Sequence, residues 1–383
     1  MEAVGIKWIR KTDKLNMIGG IGVTEVVFTG FPGFIASQLI RKSIQEHRED
    51  GITAIILASE RIKAEQEAER IRRETGCPPI RLMDGDITKP GLGLQQEDLA
   101  FLQDSKIIFW HLAAIYDLAV PQDLAWKVNV EGTKHVNAFV AELSGLERYM
   151  YFSTAYVAGK REGVLREDEL IRPEKFKNHY EETKFEAELL VESMKADLPV
   201  TIIRPGIVRG HSKTGETIKF DGPYFFLNMI DRIRNMPVIP FIGKTSSYIN
   251  VVPVDYILEA SMYLSKLEAA AGETVHLTDP NPHPVEEVYR SMVYHLAGKV
   301  PKGRLPKQLA TVGLKSKPVR KLLGVESETL DYMDWPASFD TANAERLLQG
   351  SGIKCADFLE TMPAMVAFYE LHKTEKKYHI PIQ

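Results

Sequence analysis

Between Thr24 and Pro205, short β-branched or aromatic runs (TEVVFT, ITAIILA, PIRLMDGD, KIIFWHLAA, RYMYFSTA and VTIIRP) alternate with longer amphipathic or charged stretches. That alternation specifies strand, helix, strand, helix, and hence a parallel sheet wound by right-handed crossovers. Several runs are apolar on both faces, which requires helices on both sides of the sheet. The segment Glu60 to Glu74, ERIKAEQEAERIRRE, consists almost entirely of strong helix formers and reads as the crossover after the second strand. At 383 residues the chain exceeds an average domain, so one large α/β unit with a smaller appended one is expected.

Beyond Arg204-Pro205-Gly206 the texture changes to proline-punctuated stretches such as DGPYFFLNMIDRIRNMPVIPFIG, Asp221 to Gly243. The expected division is a flexible arm over 1–23, a doubly wound parallel sheet over 24–210 and a smaller C-terminal α/β substrate-binding portion over 211–383. Within the last, 247–260, containing SYINVV, is expected to return to the main sheet. No internal repeat or low-complexity tract interrupts the pattern.

Composition narrows the functional classes. The net charge is −4, without basic blocks, which argues against a nucleic-acid partner. Cys77 and Cys355 are far apart and form no CxxC pair, which fits a reducing cytoplasm and argues against a disulfide scaffold or a zinc site. No apolar stretch approaches the roughly 18 to 20 residues that span a bilayer. The N-terminal MEAVGIKWIRKTDKLNMIGGIGV lacks the continuous apolar core of a signal peptide. A cytoplasmic protein is expected, and an oligomer is compatible with it.

The chemistry concentrates in three places. Thr29-Gly30-Phe31-Pro32-Gly33-Phe34-Ile35-Ala36 has the spacing TGxxGxxA directly after the first strand. Its glycines permit a sharp turn and close approach of a pyrophosphate to the next helix N-terminus; small residues also serve any tight βα turn. Downstream, Tyr180 and Lys184 stand at i and i+4 on a helix face that continues through Ala187, Val191 and Met194. A lysine on that stripe either snorkels to water or meets a polar partner, because burying a lone ammonium is costly. The third element is FSTAYVAG, Phe152 to Gly159, where Thr154 or Ser153 projects at the carboxyl edge of the sheet, the usual ligand edge of open α/β folds. Hydroxyl, phenol and ammonium together can polarise a carbonyl and deliver a proton.

In order along the chain, TGFPGFIA, HLAA (His111 to Ala114), NVEGT (Asn129 to Thr133), FSTAYVAG, YxxxK and RPGIV (Arg204 to Val208) resemble the extended short-chain dehydrogenase/reductase family from about Thr24 to Leu277. The resemblance implies a Rossmann domain, a smaller C-terminal substrate domain and a nicotinamide dinucleotide. It implies a catalytic set of Thr154, Tyr180 and Lys184, with Asn129 in support. The implied cofactor-binding set is Thr29, Gly30, Pro32, Gly33, Phe34, Ile35, Ser59, Arg61, Asp86, Ile87, Leu112, Ala113, Ala114, Tyr180, Lys184, Pro205, Gly206, Ile207 and Val208. His111 is expected to pack or hydrogen-bond rather than act as a base.

GDITKPGLGL (Gly85 to Leu94), STAYVAG and RGHSKTGET (Arg209 to Thr217) are similar to thioester reductase domains and fatty acyl-CoA reductases, which deliver hydride from NADPH to an acyl thioester. That branch commonly carries an arginine just after the second strand to hold a 2′-phosphate. The matching run here is Leu57-Ala58-Ser59-Glu60-Arg61, with no terminal Asp for a ribose diol. NADP(H) is the expected cofactor, and Glu60 keeps NAD(H) compatible. The expected substrate is an acyl thioester, carried by coenzyme A or an acyl carrier protein, or the derived aldehyde. Two other readings share these motifs: an NAD-dependent nucleotide-sugar epimerase/dehydratase or hydroxysteroid-type dehydrogenase, and a dinucleotide-sensing regulatory binder.

Overall fold

The structure is a computed structural model and describes residues 24–46, 51–116, 120–306, 308–309, 311–312, 316–324 and 334–380; the arm expected over 1–23 lies outside the described residues. Seven strands form the main sheet: β1 (Thr24–Thr29), β2 (Gly51–Ile56), β3 (Arg81–Asp84), β4 (Lys106–His111), β5 (Leu146–Phe152), β6 (Val200–Pro205) and β7 (Thr274–Leu277). Their spatial order is β7-β6-β5-β4-β1-β2-β3, and every pairing is parallel. The order reverses between β1 and β4, so a crevice opens there at the strands' carboxyl ends.

Alternating side chains on each strand feed two helical layers. Val26, Phe28 and Ile56 join the core beneath α1 (Phe34–Glu46) and α2 (Arg61–Thr75). Val27, Ile55 and Phe109 point the other way, toward Leu102 of α3 (Gln96–Gln103), Val136 and Val140 of α5 (Gly132–Ala141), and Ala187 and Val191 of α6 (His179–Glu192). The short α4 (Gln122–Ala125) leads into α5 through a π-helical turn, Trp126–Glu131. Two of the long helices have a clear physical stop or start. Gly76, at φ +68°, ends α2 and donates to the Arg72 carbonyl, and the Asn178 side chain caps α6 by accepting from Glu181 N at 2.9 Å.

A third core lies outside the sheet. It joins α7 (Tyr224–Ile233), α9 (Val285–Ala297) and the helix Phe358–His372 through Phe220, Tyr224, Met292, Met362 and Tyr369. The apolar stripe of the C-terminal helix thus docks on its own molecule.

Two expectations need correction. The segment 247–260 does not enter the main sheet: Val251–Pro253 pairs parallel with Ile207–Arg209 in a separate ladder, and Tyr248–Ile249 pairs antiparallel with His283–Pro284. Pro253 has no N–H to give a central strand, and the chain continues directly into α8 (Val254–Lys266). The seventh strand is instead TVHL, buried throughout, which is too short to announce itself by periodicity. The second correction concerns the boundary at 210. Tyr256, Ile257 and Ala260 of α8, Val275 of β7, and Leu347 of the helix Ala342–Leu348 all lie in the first core, so the later chain returns to complete the main-sheet unit.

Candidate active site

Because all seven strands are parallel, their carboxyl ends share one edge. The turn after β1 is built against the segment after β4: Thr29 Oγ1 accepts from Ala113 N at 3.2 Å and lies 2.8 Å from His111 Nδ1. His111 Nε2 is 3.1 Å from Thr133 Oγ1, and burial depresses its pKa to about 3, so it is a neutral structural group, as expected. Gly30 has φ +88°, and a Cβ there would sit 2.8 Å from Ala113 N and 2.9 Å from the Leu112 carbonyl carbon. A Cβ on Gly33 would lie 2.6 Å from the Gly30 carbonyl oxygen, to which Gly33 N donates at 2.8 Å. The glycines are therefore demanded by the turn itself. The turn leaves Gly33 exposed and Pro32, Phe34 and Ile35 half-buried at the start of α1, where free amides and the helix dipole favour a phosphate.

Past β2, Ser59 is exposed, while Arg61 is held by Asp84 at 2.9 Å and faces Glu65 at 3.5 Å. The Asp84 hydrogen bond raises the Arg61 pKa above its ordinary value. Glu60 is occupied by Lys63 at 2.8 Å. Past β3, Asp86 accepts from Thr88 N and Oγ1 at 2.9 and 2.7 Å, whereas the Ile87 side chain packs against Gly132 in the core. The GLGL motif curls back on this point: Leu92 is buried, and its carbonyl accepts from Asp86 N at 2.7 Å.

The groups expected to be catalytic stand just past β5 and on α6. Lys184 is buried and donates to the Tyr151 phenol at 3.0 Å and the Phe152 carbonyl at 2.6 Å. These are the polar partners its place on an apolar stripe demanded. Burial lowers its pKa to about 7, opposed by the Glu188 carboxylate one turn along. Tyr180 meets Tyr116 edge-on with ring centroids 5.0 Å apart; burial, and then the neighbouring Glu181 charge, hold its phenol pKa well above the usual value. Of the two hydroxyls at the end of β5, Ser153 donates to buried Glu188, which forms an ion pair with Arg204 at 2.6 Å. Thr154 instead accepts from Tyr156 N at 3.3 Å and caps the short helix Ala155–Ala158, which leaves its hydroxyl proton uncommitted to Glu188.

Asn129 sits in the π turn, a distortion frequent at functional sites. It accepts from Ile115 N at 2.8 Å and donates to Thr183 Oγ1 at 3.0 Å, pinning the segment after β4 to the helix that carries Tyr180 and Lys184. Pro205 ends β6; Gly206 N donates to Leu277 O and Ile207 N to Asn250 O, both at 3.1 Å, while Ile207 and Val208 stay half-buried. Tyr151, Tyr116 and the Glu188–Arg204 pair were not foreseen. Glu188 left a trace in the sequence, four residues after Lys184, and Arg204 opens the RPGIV motif.

A glycine turn at a topological switch point, with hydroxyl, phenol and ammonium on the adjacent strand and helix, defines a Rossmann-type dinucleotide fold of the extended short-chain dehydrogenase/reductase class. The model of the male sterility protein family, an NAD-binding family, matches residues 28–261, and the chain belongs to that family. It is 24% identical over 328 residues to the non-canonical nonribosomal peptide synthetase cpsA of Aspergillus campestris, covering 79% of this chain and 31% of that protein. It is likewise 24% identical over 310 residues to the putative fatty acyl-CoA reductase CG8303 of Drosophila melanogaster, covering 68% of this chain and 56% of the relative. The chain therefore spans between 31% and 56% of the length of these two curated relatives. Among solved structures, the terminal R domain of the myxalamid PKS-NRPS pathway matches the fold with a TM-score of 0.77 over 94% of both chains at 24% identity. Among the described residues no helix is long and apolar enough to cross a membrane, and no cluster of His, Cys, Asp or Glu could hold a metal ion.

Proposed function

We propose that this chain is an NADPH-dependent reductase of acyl thioesters, carried by coenzyme A or an acyl carrier protein, or of the derived aldehydes. The observation that carries the reading is the buried Lys184, one helical turn from Tyr180 and anchored on Tyr151 and on Phe152, two residues before Thr154, at the edge where the glycine turn presents the α1 amides. The names of the fatty acyl-CoA reductase and R-domain relatives point to the same substrate class.

When bound, the reduced dinucleotide supplies a hydride. The chain's own part is to hold the acyl carbonyl so that Thr154 and Tyr180 donate to its oxygen as charge develops there. With a thioester, the hemithioacetal collapses, expelling the thiolate and leaving an aldehyde. With an aldehyde, Tyr180 gives its proton to the alkoxide and an alcohol results. Lys184, held beneath the site by Tyr151 and Phe152, would orient the ribose of the bound dinucleotide. Asn129 keeps the segment after β4 against α6, so the two walls of the crevice stay in register.

The preference for NADPH rests on Ser59 and Arg61 after β2 and on the lack of an acid at the end of that strand. The deciding experiment measures oxidation of NADPH and NADH against a panel of acyl-CoAs, carrier-bound acyl groups, aldehydes and ketones, with UDP-sugars as controls. Turnover of thioesters or aldehydes with NADPH is expected; activity on UDP-sugars alone, with NAD retained, would overturn the reading.

A further inference from the structure

Two side chains proposed to act on the carbonyl, Thr154 and Tyr180, stand on separate elements, and one buried cation joins those elements. Lys177 immediately precedes the α6 cap, and its side chain is 3% exposed. Its Nζ donates to the Gly159 carbonyl at 2.6 Å. Gly159 closes the short helix whose N-cap is Thr154. The same Nζ lies 3.7 Å from Glu181 Oε1, and Glu181 Oε2 accepts from Lys177 N at 3.0 Å. Glu181 is fully buried and follows Tyr180 directly. Over the ammonium lies Trp335, its ring centroid 3.5 Å away, and the Tyr156 ring is at 5.5 Å. Trp335 is fixed in turn by donating from Nε1 to Arg161 O at 2.8 Å and by the parallel pairing of Ala337–Phe339 with Gly163–Leu165. An ammonium removed from water needs such compensation, and a desolvated aromatic face supplies part of it.

We propose that Lys177, covered by Trp335, is a positioning residue for this reaction: it bridges the Thr154 turn to the Tyr180 helix and offsets the Glu181 charge beside the phenol. The inference rests on the reductase reading above. It gives the C-terminal segment around Trp335 a part in the active site without any contact with substrate. The electrostatic half has a definite sign. The groups acting on Tyr180 are Glu181 from its own helix, Tyr116 from the segment after β4 and Tyr151 from β5, with Lys184 one turn along the helix and Asp221 acting on Tyr116. Glu181 opposes ionisation of the phenol; removing the Lys177 ammonium strengthens that opposition, so proton donation weakens and the alkaline limb of kcat that Tyr180 controls moves to higher pH.

The test uses the full chain, NADPH and the acyl-CoA or aldehyde turned over in the panel above. Lys177→Met keeps the aliphatic stem and removes the charge. Its kcat is expected to fall about 10- to 100-fold, the cost of a small misplacement of reacting groups, with KM for NADPH nearly unchanged and the alkaline limb displaced upward. Lys177→Arg, which keeps charge and ring contact, is expected to recover most of the rate. Because Lys177→Met removes a cation from beside buried Glu181 and can fail to fold, Lys177→Met/Glu181→Gln provides a charge-neutral pair. This double variant should return the pH limb toward that of the parent while kcat stays low, since the bridge to Gly159 is still missing. Parent-level kcat in the double variant, or equal losses in Lys177→Arg and Lys177→Met, would overturn the inference. Tyr180→Phe run alongside separates the two levels. If Tyr180→Phe keeps the parent rate, the reductase assignment falls; if it loses the rate while the Lys177 double variant does not, only the role of Lys177 falls.

Discussion

Lys184 shows how a single residue can be legible in pattern and illegible in contact. Its i+4 relation to Tyr180 and its place on an apolar stripe follow from helical geometry, but the Tyr151 phenol that receives it comes from a strand 33 positions away. Burial lowers its pKa to about 7 from 10.5. Between those values the unfolded chain binds more protons than the folded one, so this residue makes stability rise with pH across that window, with its full penalty below it. Urea unfolding at pH 7 and pH 9 should show a smaller rise for Lys184→Met than for the parent; equal rises would remove Lys184 as the cause. The chemical test at this scale is Tyr180→Phe. Losing one oxyanion donor costs on the order of 10²- to 10³-fold, and one group serving two roles is not counted twice. A fall of at least about 10²-fold in kcat for aldehydes is expected, with the dissociation constant for NADPH changed far less. Steady-state kinetics and calorimetry on the same variant check both halves.

At the scale of elements, the β1–α1 turn was readable from TGxxGxxA, but the reason for its glycines was not. Gly30 is required by the Leu112–Ala113 backbone across the switch point, and Gly33 by the Gly30 carbonyl. Gly33→Val should therefore distort the turn before it meets any ligand, weakening NADPH binding at least about tenfold, or 1.4 kcal/mol; calorimetric titration of the folded variant measures this. The stretch after β2 was readable as to residue type, while its state was not, because Asp84 on β3 occupies Arg61. Asp84→Asn should release the guanidinium and widen the preference for NADPH over NADH, and Arg61→Ala should narrow it. Dissociation constants for both cofactors in both variants decide the matter. Unchanged ratios would remove Arg61 from the 2′-phosphate site.

For the whole molecule, the nucleotide-binding unit is not a contiguous stretch of chain. Leu347, far beyond the expected boundary, packs with α8 and β7 in the core that also contains Phe28 and Ile56. Leu347→Ala should destabilise that unit by about 2–5 kcal/mol, the cost of a large-to-small change in a packed core, and saturating NADPH should recover part of the loss by linkage. Denaturant unfolding with and without cofactor measures both; a change under about 1 kcal/mol would show that the helix Ala342–Leu348 is peripheral to it. The amino-acid sequence by itself determined the strand–helix alternation, the carboxyl-edge motifs and the family, because periodicity, glycine spacing and the YxxxK repeat act over a few residues. Only the tertiary structure decided where Val251–Pro253 pairs, that TVHL is the seventh strand, that Ser153 belongs to Glu188, and that Trp335 covers Lys177. Those choices are made between segments far apart in the chain, where pairing depends on which buried polar groups and apolar faces remain to be satisfied once the sheet has formed.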